Sequence, residues 1–410
     1  MKKIYALMAF ALLATEVKAQ FRTQAQQQIL TNEDSLHNGV AKAKTVLSGY
    51  GSAYYQHNTN NKTTTASLER AVLFIGHRFS SKIAFFSEIE IENALVSGAE
   101  QKGEMAMEQA FLKFNLNQSQ YIVAGLFIPR IGLLNENHLP VNFNGVERPM
   151  VETWVIPATW RELGIGFYGS VNNMPLNYSV ALMNGLNSAD FQHGTGIRDG
   201  RAEGSFATAN NMAVTAALQY SIPRVKFQVS GYAGGTVGLS GRGADSLKLE
   251  SGPLGTPVYL GEANAQYNHH GITGRVLAAY ISYPDAAKVN VAYGKNLPSA
   301  VYGAYAELGY DWLYHRHGQS QFITFARYEK MDLNAKIPAA PEGIIDPTLN
   351  QSHLIAGFNY LPLPNVCIKM DVRLMHTGNQ NPALVVNPAP NALPYKPDNS
   401  FINLGIGYSF

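Results

Sequence analysis

The last ten residues constrain the fold more than any other stretch of the chain. They alternate strictly between two faces, with Ile402, Leu404, Ile406, Tyr408 and Phe410 on one face and Asn403, Gly405, Gly407 and Ser409 on the other. Such a strand suits hydrocarbon on one side and water on the other. In lipid no water satisfies the free N–H and C=O groups of a strand, so every strand must pair on both sides. The stretch therefore predicts an all-β fold, a closed antiparallel barrel that spans a membrane.

The N-terminus predicts export of the chain. Lys2 and Lys3 precede an apolar run over residues 4–14, and a small residue, Ala19, comes directly before Gln20. These are the three parts of a secretory signal peptide, which we assign to residues 1–19 with cleavage after Ala19. Polar residues 20–45 are predicted as a periplasmic lead-in, and residues 46–410 as the barrel. No later run reaches the roughly 18 consecutive apolar residues that a membrane helix needs.

Charge and cysteine content give no support for nucleic-acid binding or for an internal disulfide. The formal charge is +2, and residues 1–19 carry three basic residues and one acidic residue, so the processed chain is neutral. Nothing in that balance suggests nucleic acid as a partner. Cys367 is the only cysteine, so the chain forms no internal disulfide.

The rest of the chain divides into about sixteen segments of strand length. They are predicted at 46–56, 69–79, 83–94, 105–116, 121–129, 163–171, 176–183, 211–220, 225–235, 259–268, 272–283, 300–312, 321–331, 353–361, 366–376 and 401–410. The connections alternate between short turns and long polar loops rich in Gly, Asn and Pro, the first long loop being 57–68. This alternation is typical of outer-membrane barrels, which have short periplasmic turns and long external loops.

Aromatic residues gather where the even-numbered strands end. The set is Phe79, Phe114, Tyr168, Tyr220, Tyr267, Tyr310, Tyr360 and Phe410. We predict that they form an interfacial girdle on the periplasmic side.

Two strands indicate which face is wet. Lys369, Asp371 and Arg373 alternate with apolar residues in one, and Glu88, Glu90 and Glu92 alternate with isoleucines in the other. We predict all six as charges of the lumen wall. In the segment 105–116, Glu108 falls on the otherwise apolar face, which indicates either a β-bulge or a different strand register there.

The glutamate row allows two interpretations. Carboxylates on one face of a strand lie about 7 Å apart, so Glu88, Glu90 and Glu92 could attract cations or bind a metal ion. The alternative is a solvated wall with countercharges on a neighbouring strand. We favour the second interpretation and predict neither a metal nor a cofactor.

Residues 130–162 form the longest connection, and it is unusually apolar. Its apolar residues are Leu133, Leu134, Val141, Phe143, Trp154, Val155, Ile156 and Trp160. Its charged or titratable residues include Glu136, His138, Glu147, Arg148, Glu152, Arg161 and Glu162. We expect the loop to pack against another surface and take the second set as candidates for a pore constriction. A simpler role stays open, in which these residues pin the loop to the wall by ion pairs.

The same stretch resembles a known family. The motifs are Gly125-Leu126-Phe127-Ile128-Pro129, Leu134-Asn135-Glu136-Asn137-His138, Gly145-Val146-Glu147-Arg148-Pro149 and Trp160-Arg161-Glu162-Leu163-Gly164. They resemble porin-like barrels of Bacteroidetes related to the phosphate-selective porin O and P family, over residues 88–169. In the general porins of about sixteen strands that the organisation resembles, the loop after the fifth strand folds inward and narrows the pore. The C-terminal strand ending in Phe410 resembles the signal that the outer-membrane insertion machinery recognises.

The resemblance does not extend to selectivity. Phosphate-selective members line the pore with Arg and Lys, whereas here the predicted basic wall residues are balanced by acidic ones. The basic set is Lys113, Lys226, Arg327, Lys369 and Arg373, and the acidic set is Glu88, Glu90, Glu92, Glu307, Glu329 and Asp371. Phosphate selectivity is therefore not expected.

These features predict a porin of the bacterial outer membrane that passes small hydrophilic solutes or ions through a water-filled channel. Expected partners are outer-membrane lipid, the insertion machinery and the solutes themselves, and a homotrimer stays open. The alternatives are a barrel enzyme of the phospholipase or protease type and a barrel that binds a partner at the cell surface. No Gly-x-Ser-x-Gly nucleophile motif is present, so we predict no enzyme activity.

Overall fold

Sixteen antiparallel strands close into one barrel in the computed structural model, which describes residues 22, 23, 26, 45–94, 103–316, 318–339, 343–385 and 394–410. Each strand pairs with its neighbour in sequence, and the last strand pairs with the first. The predicted fold class is confirmed. The predicted signal peptide at 1–19 and almost all of the lead-in at 20–45 lie outside the described residues.

All strands except β5, which has eight residues, reach the roughly nine residues that a tilted strand needs to cross a bilayer core. They are β1 Thr45–Asn58, β2 Thr63–Arg78, β3 Ile83–Glu92, β4 Met105–Asn115, β5 Gln120–Phe127, β6 Glu162–Ser170, β7 Leu176–Asn184, β8 Met212–Ile222, β9 Val225–Gly235, β10 Pro257–His269, β11 Ile272–Ser282, β12 Ala300–Asp311, β13 Gln321–Lys336, β14 Asn350–Leu363, β15 Val366–Thr377 and β16 Asp398–Ser409. The described parts of the connections contain three short α-helices, α1 Val151–Trp154, α2 Gly241–Ser246 and α3 Ala286–Tyr293, besides three 3-10 turns. Within the described residues, no helix is long and apolar enough to cross a membrane.

The closing strand divides its faces as the alternation predicts. Ile406 and Tyr408 are 56% and 42% exposed on the outside of the barrel, whereas Asn403 and Ser409 are 1% and 2% exposed on the inside. Its pairing runs from Tyr50 opposite Ser409 along β1, with β15 on its other edge. No edge of β16 is left free, which is the condition for a strand that faces hydrocarbon.

The predicted bulge is also confirmed. Glu88 pairs with Gln109 while the next residue of β3, Ile89, pairs with Met107, so Glu108 is the extra residue of β4. The bulge turns the Glu108 side chain inward, where it is fully buried. A carboxylate that would otherwise face lipid is thereby placed inside the barrel.

Two predictions about the ends of the strands are wrong. The first long loop, expected at 57–68, is a tight hairpin, because β1 and β2 pair as far as Asn58 opposite Thr63. Polar Thr and Asn residues continue the strands there instead of forming a loop. In the girdle, Phe79, Tyr220 and Phe410 are exposed as expected, but Tyr168 points inward and stacks on Tyr121 at 5.1 Å. The inward positions of β6 are the even-numbered ones, which the sequence register did not reveal.

The described part of the predicted lead-in lies against the inner wall. Thr23 and Gln26 are buried, and the Ser48 hydroxyl of β1 donates a hydrogen bond to Thr23 Oγ1 at 2.9 Å. Gln26 also lines a small cavity with Phe111 and Tyr168. Thr23 and Gln26 therefore contact the inside of the barrel.

Candidate functional site

The connection between β5 and β6, residues 128–161, lies inside the barrel, and we call it the inward loop. Its buried apolar side chains are Ile128, Ile131, Leu133, Leu134, Leu139, Phe143, Met150, Val151, Val155, Ile156 and Trp160. The expectation that so apolar a loop packs against another surface is confirmed, since its residues share one cluster with inward side chains of the wall. The loop therefore occupies a large part of the lumen.

Glycines of the wall make room for the inward loop. A Cβ atom at Gly407 of β16 would lie 2.7 Å from Cβ of Pro140, and one at Gly405 would lie 2.9 Å from a methyl group of Val146. A Cβ at Gly303 of β12 would come equally close to the loop. Real side chains do not approach this closely, so the small face of the closing strand serves to seat the loop.

Charged residues of β15 hold the middle of the inward loop through its backbone. Lys369 Nζ donates a hydrogen bond to the carbonyl of Phe143 at 2.8 Å and lies over the ring of the same residue. Asp371 accepts a hydrogen bond from the N–H of Val146 at 2.6 Å. These two predicted wall charges thus bind the backbone of the loop instead of standing free in water.

Glu147 and Arg148 follow on the loop and behave differently. Glu147 pairs with the predicted wall residue Arg373 at 3.1 Å and lies 3.4 Å from Asn403 of β16. Arg148 is partly exposed, and its Nη2 atom has no hydrogen-bond partner among the described residues. Glu69 of β2 is close enough to interact with its charge.

Arg327 of β13 is the most buried cation that contacts the inward loop. It pairs with Glu307 at 3.1 Å and with Glu329 at 2.8 Å, and it donates to the carbonyl of Asn144 at 3.2 Å. Glu329 in turn accepts from the N–H of Val151, the first residue of α1, at 3.0 Å. One buried cluster thus joins β12, β13 and two points of the loop.

Glu152 ties two limbs of the inward loop together. Its carboxylate accepts hydrogen bonds from the N–H groups of Leu133 and Leu134 at 2.8 and 2.7 Å, and from the hydroxyl of Tyr305 at 2.6 Å. Burial raises the pKa of Glu152 to about 7, against the opposing effect of these donors. The residue is an internal anchor that also bonds to β12.

Arg161 and Glu162 stand where the loop returns to the wall. Arg161 pairs with Glu203 of the β7–β8 connection at 2.8 Å and lies 3.8 Å from Glu108. Glu162 begins β6, is fully buried and accepts a hydrogen bond from Asn184 at 2.6 Å. Both predicted residues are engaged with neighbouring protein groups.

Glu136 lies near the start of the inward loop. It pairs with Arg130 at 2.8 Å, and the Arg130 guanidinium lies 5.3 Å from the ring centre of Tyr168. Tyr168 thus contacts Arg130 of the loop on the inside of the barrel, and it is therefore absent from the outer girdle.

His138 meets the wall at the β-bulge. Its Nε2 atom lies 3.1 Å from Glu88 Oε1 and 3.7 Å from Glu108 Oε2, and its Nδ1 atom is 2.9 Å from the carbonyl of Asn135. The second oxygen of Glu88 accepts a hydrogen bond from Gln109 at 2.7 Å. Burial lowers the pKa of His138 to about 4.

Glu90 and Glu92, the other two glutamates of the row, lie opposite a countercharge on the neighbouring strand. Glu90 pairs with Arg70 of the neighbouring strand β2 at 3.2 Å, and Arg70 also contacts Glu69 at 3.1 Å. Glu92 lies opposite Arg70 in register but is partly exposed. The predicted countercharge is therefore present for Glu90.

A polar cavity of about 250 Å³ remains between the inward loop and the wall of β1, β2 and β3. It is lined by Tyr54, Gln56, Glu69, Arg70, Glu92, Asn93, Val146 and Glu147. Two of these residues belong to the loop and the others to the wall or to the connection after β3. The predicted wall residue Glu92 and the predicted loop residue Glu147 are thus brought to one cavity.

Several residues of the site were not singled out from the sequence. Tyr305 anchors Glu152, Arg70 neutralises Glu90, and Glu108 was noted only as a break in the alternation. Only the break at Glu108 leaves a trace in the local pattern. The other two sit at ordinary inward positions, and their partners are distant in sequence.

No model of a known protein family matches the sequence. An uncharacterised protein of Aquifex aeolicus is 28% identical over 338 residues, which cover 79% of this chain and 74% of that protein.

Solved structures with a similar fold are bacterial outer-membrane proteins. Salmonella typhi OmpF in complex with daunomycin aligns with a TM-score of 0.56 and 12% identity, covering 89% of this chain and 97% of that chain. The anion-selective porin of Comamonas acidovorans aligns with a TM-score of 0.53 and 10% identity, covering 90% of this chain and 100% of that chain. A loop L8 deletion mutant of OmpT, an outer-membrane protein of Vibrio cholerae, aligns with a TM-score of 0.52 and 9% identity. The alignment covers 89% of this chain and 99% of that chain. The chain therefore has the barrel fold of bacterial outer-membrane proteins.

Proposed function

We propose that the protein is an outer-membrane porin that lets small hydrophilic solutes or ions diffuse through a narrow aqueous passage beside the inward loop. The observation that carries this proposal is the charged cavity between the inward loop and the wall of β1 to β3. A barrel of about sixteen strands is wide enough to hold an aqueous channel, and here the loop takes up much of that width. Size and charge at the remaining opening would set what passes.

The proposed location is the bacterial outer membrane, with lipid around the apolar outer face. The exposed side chains Leu404 and Ile406 are typical of that face. Insertion through the C-terminal strand, a signal peptide at 1–19 and assembly as a homotrimer belong to the same proposal. Kinship with the phosphate-selective porin O and P family is also proposed, without its phosphate selectivity, because basic wall residues are paired with acidic ones.

The seven loop residues that the sequence singles out are assigned two roles. Glu147 borders the cavity and Arg148 stands beside it, so these two are proposed to set the constriction. The other five are Glu136, His138, Glu152, Arg161 and Glu162, which hold the loop in place through buried contacts. This combines the constriction with the pinning role that the sequence left open.

Single-channel recording in a planar bilayer tests the function. We expect small, stable conductance steps from the purified chain, together with a heat-dependent change in gel migration. The absence of any conductance, combined with hydrolysis of lipid or peptide, would instead support a barrel enzyme. A silent barrel that retains a ligand on its external loops would support the surface-binding alternative.

We expect a weak cation preference that depends on Glu92. Glu92 is the carboxylate of this cavity that has no ion pair within 4.0 Å among the described residues, whereas Glu69 contacts Arg70 and Glu147 pairs with Arg373. Replacing Glu92 by Lys should therefore shift the reversal potential in a salt gradient toward anions. Glu250→Lys introduces the same charge change on an exposed external loop and serves as the control. Equal shifts in both variants would show that the passage does not run past Glu92.

A further inference from the structure

Three metal-ligating side chains meet inside the barrel beneath the inward loop. Glu88 of β3, Glu108 of β4 and His138 of the loop are each no more than 1% exposed, and one donor atom of each lies within 4.8 Å of the others. His138 Nε2 is 3.1 Å from Glu88 Oε1 and 3.7 Å from Glu108 Oε2. Ligands of a tetrahedral Zn²⁺ site are about 3.4 Å apart when each bond is about 2.0–2.1 Å long.

A β-bulge in β4 assembles this cluster. Without the extra residue in β4, Glu108 would point to the outer face of the barrel, and Glu88 would have only Glu90 and Glu92 on its own strand. The bulge instead brings carboxylates from two adjacent strands together. β-bulges are frequent where a side chain must be redirected for function.

The Glu108 carboxylate is the unsatisfied part of the cluster. Neither oxygen of Glu108 has a hydrogen-bond partner among the described residues, although the side chain is fully buried. The contact of His138 Nδ1 with the carbonyl of Asn135 requires Nδ1 to carry a proton, which leaves Nε2 directed at Glu88 Oε1 at 3.1 Å. A metal ion bound at this point would be coordinated by Nε2 and by oxygens of both carboxylates.

The surrounding cations do not neutralise the cluster. In the described part of the chain, the nearest Arg or Lys nitrogen to Glu88 or Glu108 is Arg161 Nη1, at 3.8 Å from Glu108. Arg161 makes its closer contact, at 2.8 Å, with Glu203. A buried carboxylate without a close countercharge is costly, and either a proton or a bound cation would remove that cost.

We propose that Glu88, Glu108 and His138 bind a divalent first-row transition-metal ion such as Zn²⁺, which fastens the inward loop to the barrel wall. The donor set of two carboxylates and one imidazole suits such ions. The contact of His138 Nδ1 with a backbone carbonyl is the outer-shell support that metal-binding histidines usually have. The site joins β3 and β4 to the loop and does not depend on the proposed channel activity.

Cobalt titration tests the site because Co²⁺ in such a ligand field absorbs visible light. The tag-free protein, purified in detergent and stripped with a chelator, should bind a single Co²⁺ per chain, and Zn²⁺ should displace it. Glu108→Gln and His138→Gln should weaken binding by more than about 100-fold, since the loss of outer-shell partners alone costs 10–100-fold. Zn²⁺ should also raise the unfolding temperature of the wild type but not of these variants.

Two matched controls separate the site from general charge effects. Glu92→Gln removes a carboxylate from the same face of β3, and His353→Gln removes a buried inward histidine of β14, so both should bind cobalt like the wild type. Absence of cobalt bands in the wild type overturns the proposal whether or not the variants fold. Bands that persist in folded Glu108→Gln and His138→Gln arise elsewhere, for example at the adjacent His269 and His270, and overturn it as well.

Discussion

Excision of the inward loop is expected to raise the single-channel conductance several-fold. Replacing residues 129–160 by a Gly/Ser turn of about four residues is compatible with the barrel, because Phe127 of β5 pairs directly with Glu162 of β6 and hairpins with such turns are common. The emptied lumen then has the width of an open channel of sixteen strands. Conductance in planar bilayers measures the effect.

The excised barrel should still fold. Inward charges such as Lys369 and Asp371, which now bind loop backbone, would be hydrated once water fills the lumen and would not be left buried without partners. Removing α2, residues 241–246, in the external β9–β10 connection is the control and should leave the conductance unchanged. An excised barrel that keeps the wild-type conductance would remove the loop from the proposed mechanism.

Replacing Arg327 by Met is expected to lower the free energy of unfolding by about 3–5 kcal/mol, the usual cost of removing one partner from a buried ion-pair cluster. Glu307 and Glu329 lose their closest cation, and the carbonyl of Asn144 loses a donor. Arg275 remains only 3.5 Å from Glu307, so part of that charge stays compensated. Chemical unfolding in detergent, followed by tryptophan fluorescence, measures the loss.

A compensating variant checks the cause of that loss. Arg327→Met combined with Glu307→Gln and Glu329→Gln removes the stranded charges and should recover much of the stability. Arg242→Met on the exposed helix α2 should have almost no effect. If the triple variant is no more stable than Arg327→Met alone, the buried charges do not explain the cost.

The sequence predicts the barrel well because the membrane imposes a local rule. Alternation along β16 and β15 reports directly which side chains face lipid, and the break at Glu108 reports a bulge. Where both faces of a strand are polar, as near Asn58 and Thr63, alternation does not distinguish a strand from a loop. The sequence therefore predicts a loop where the structure has the first hairpin.

The partners of the inward loop could not be predicted from local sequence patterns, for a physical reason. The apolar content of residues 130–162 shows that the loop packs, but Val146 meets Asp371 and Glu152 meets Tyr305 across the width of the barrel. Such pairs depend on the curvature of the whole barrel, and the alternation of residues along one strand contains no information about that curvature. The same charges that suggested an open wet wall therefore turned out to hold the loop.

The join between β1 and β16 also governs the order of folding. Tyr50 pairs with Ser409, almost the full length of the chain away, so this contact carries the largest loop-closure entropy in the molecule. Every other pair of neighbouring strands can zip as a local hairpin before it. A partly formed sheet therefore keeps two unpaired edges until β1 and β16 meet, and the chain is most exposed to misassembly before they do.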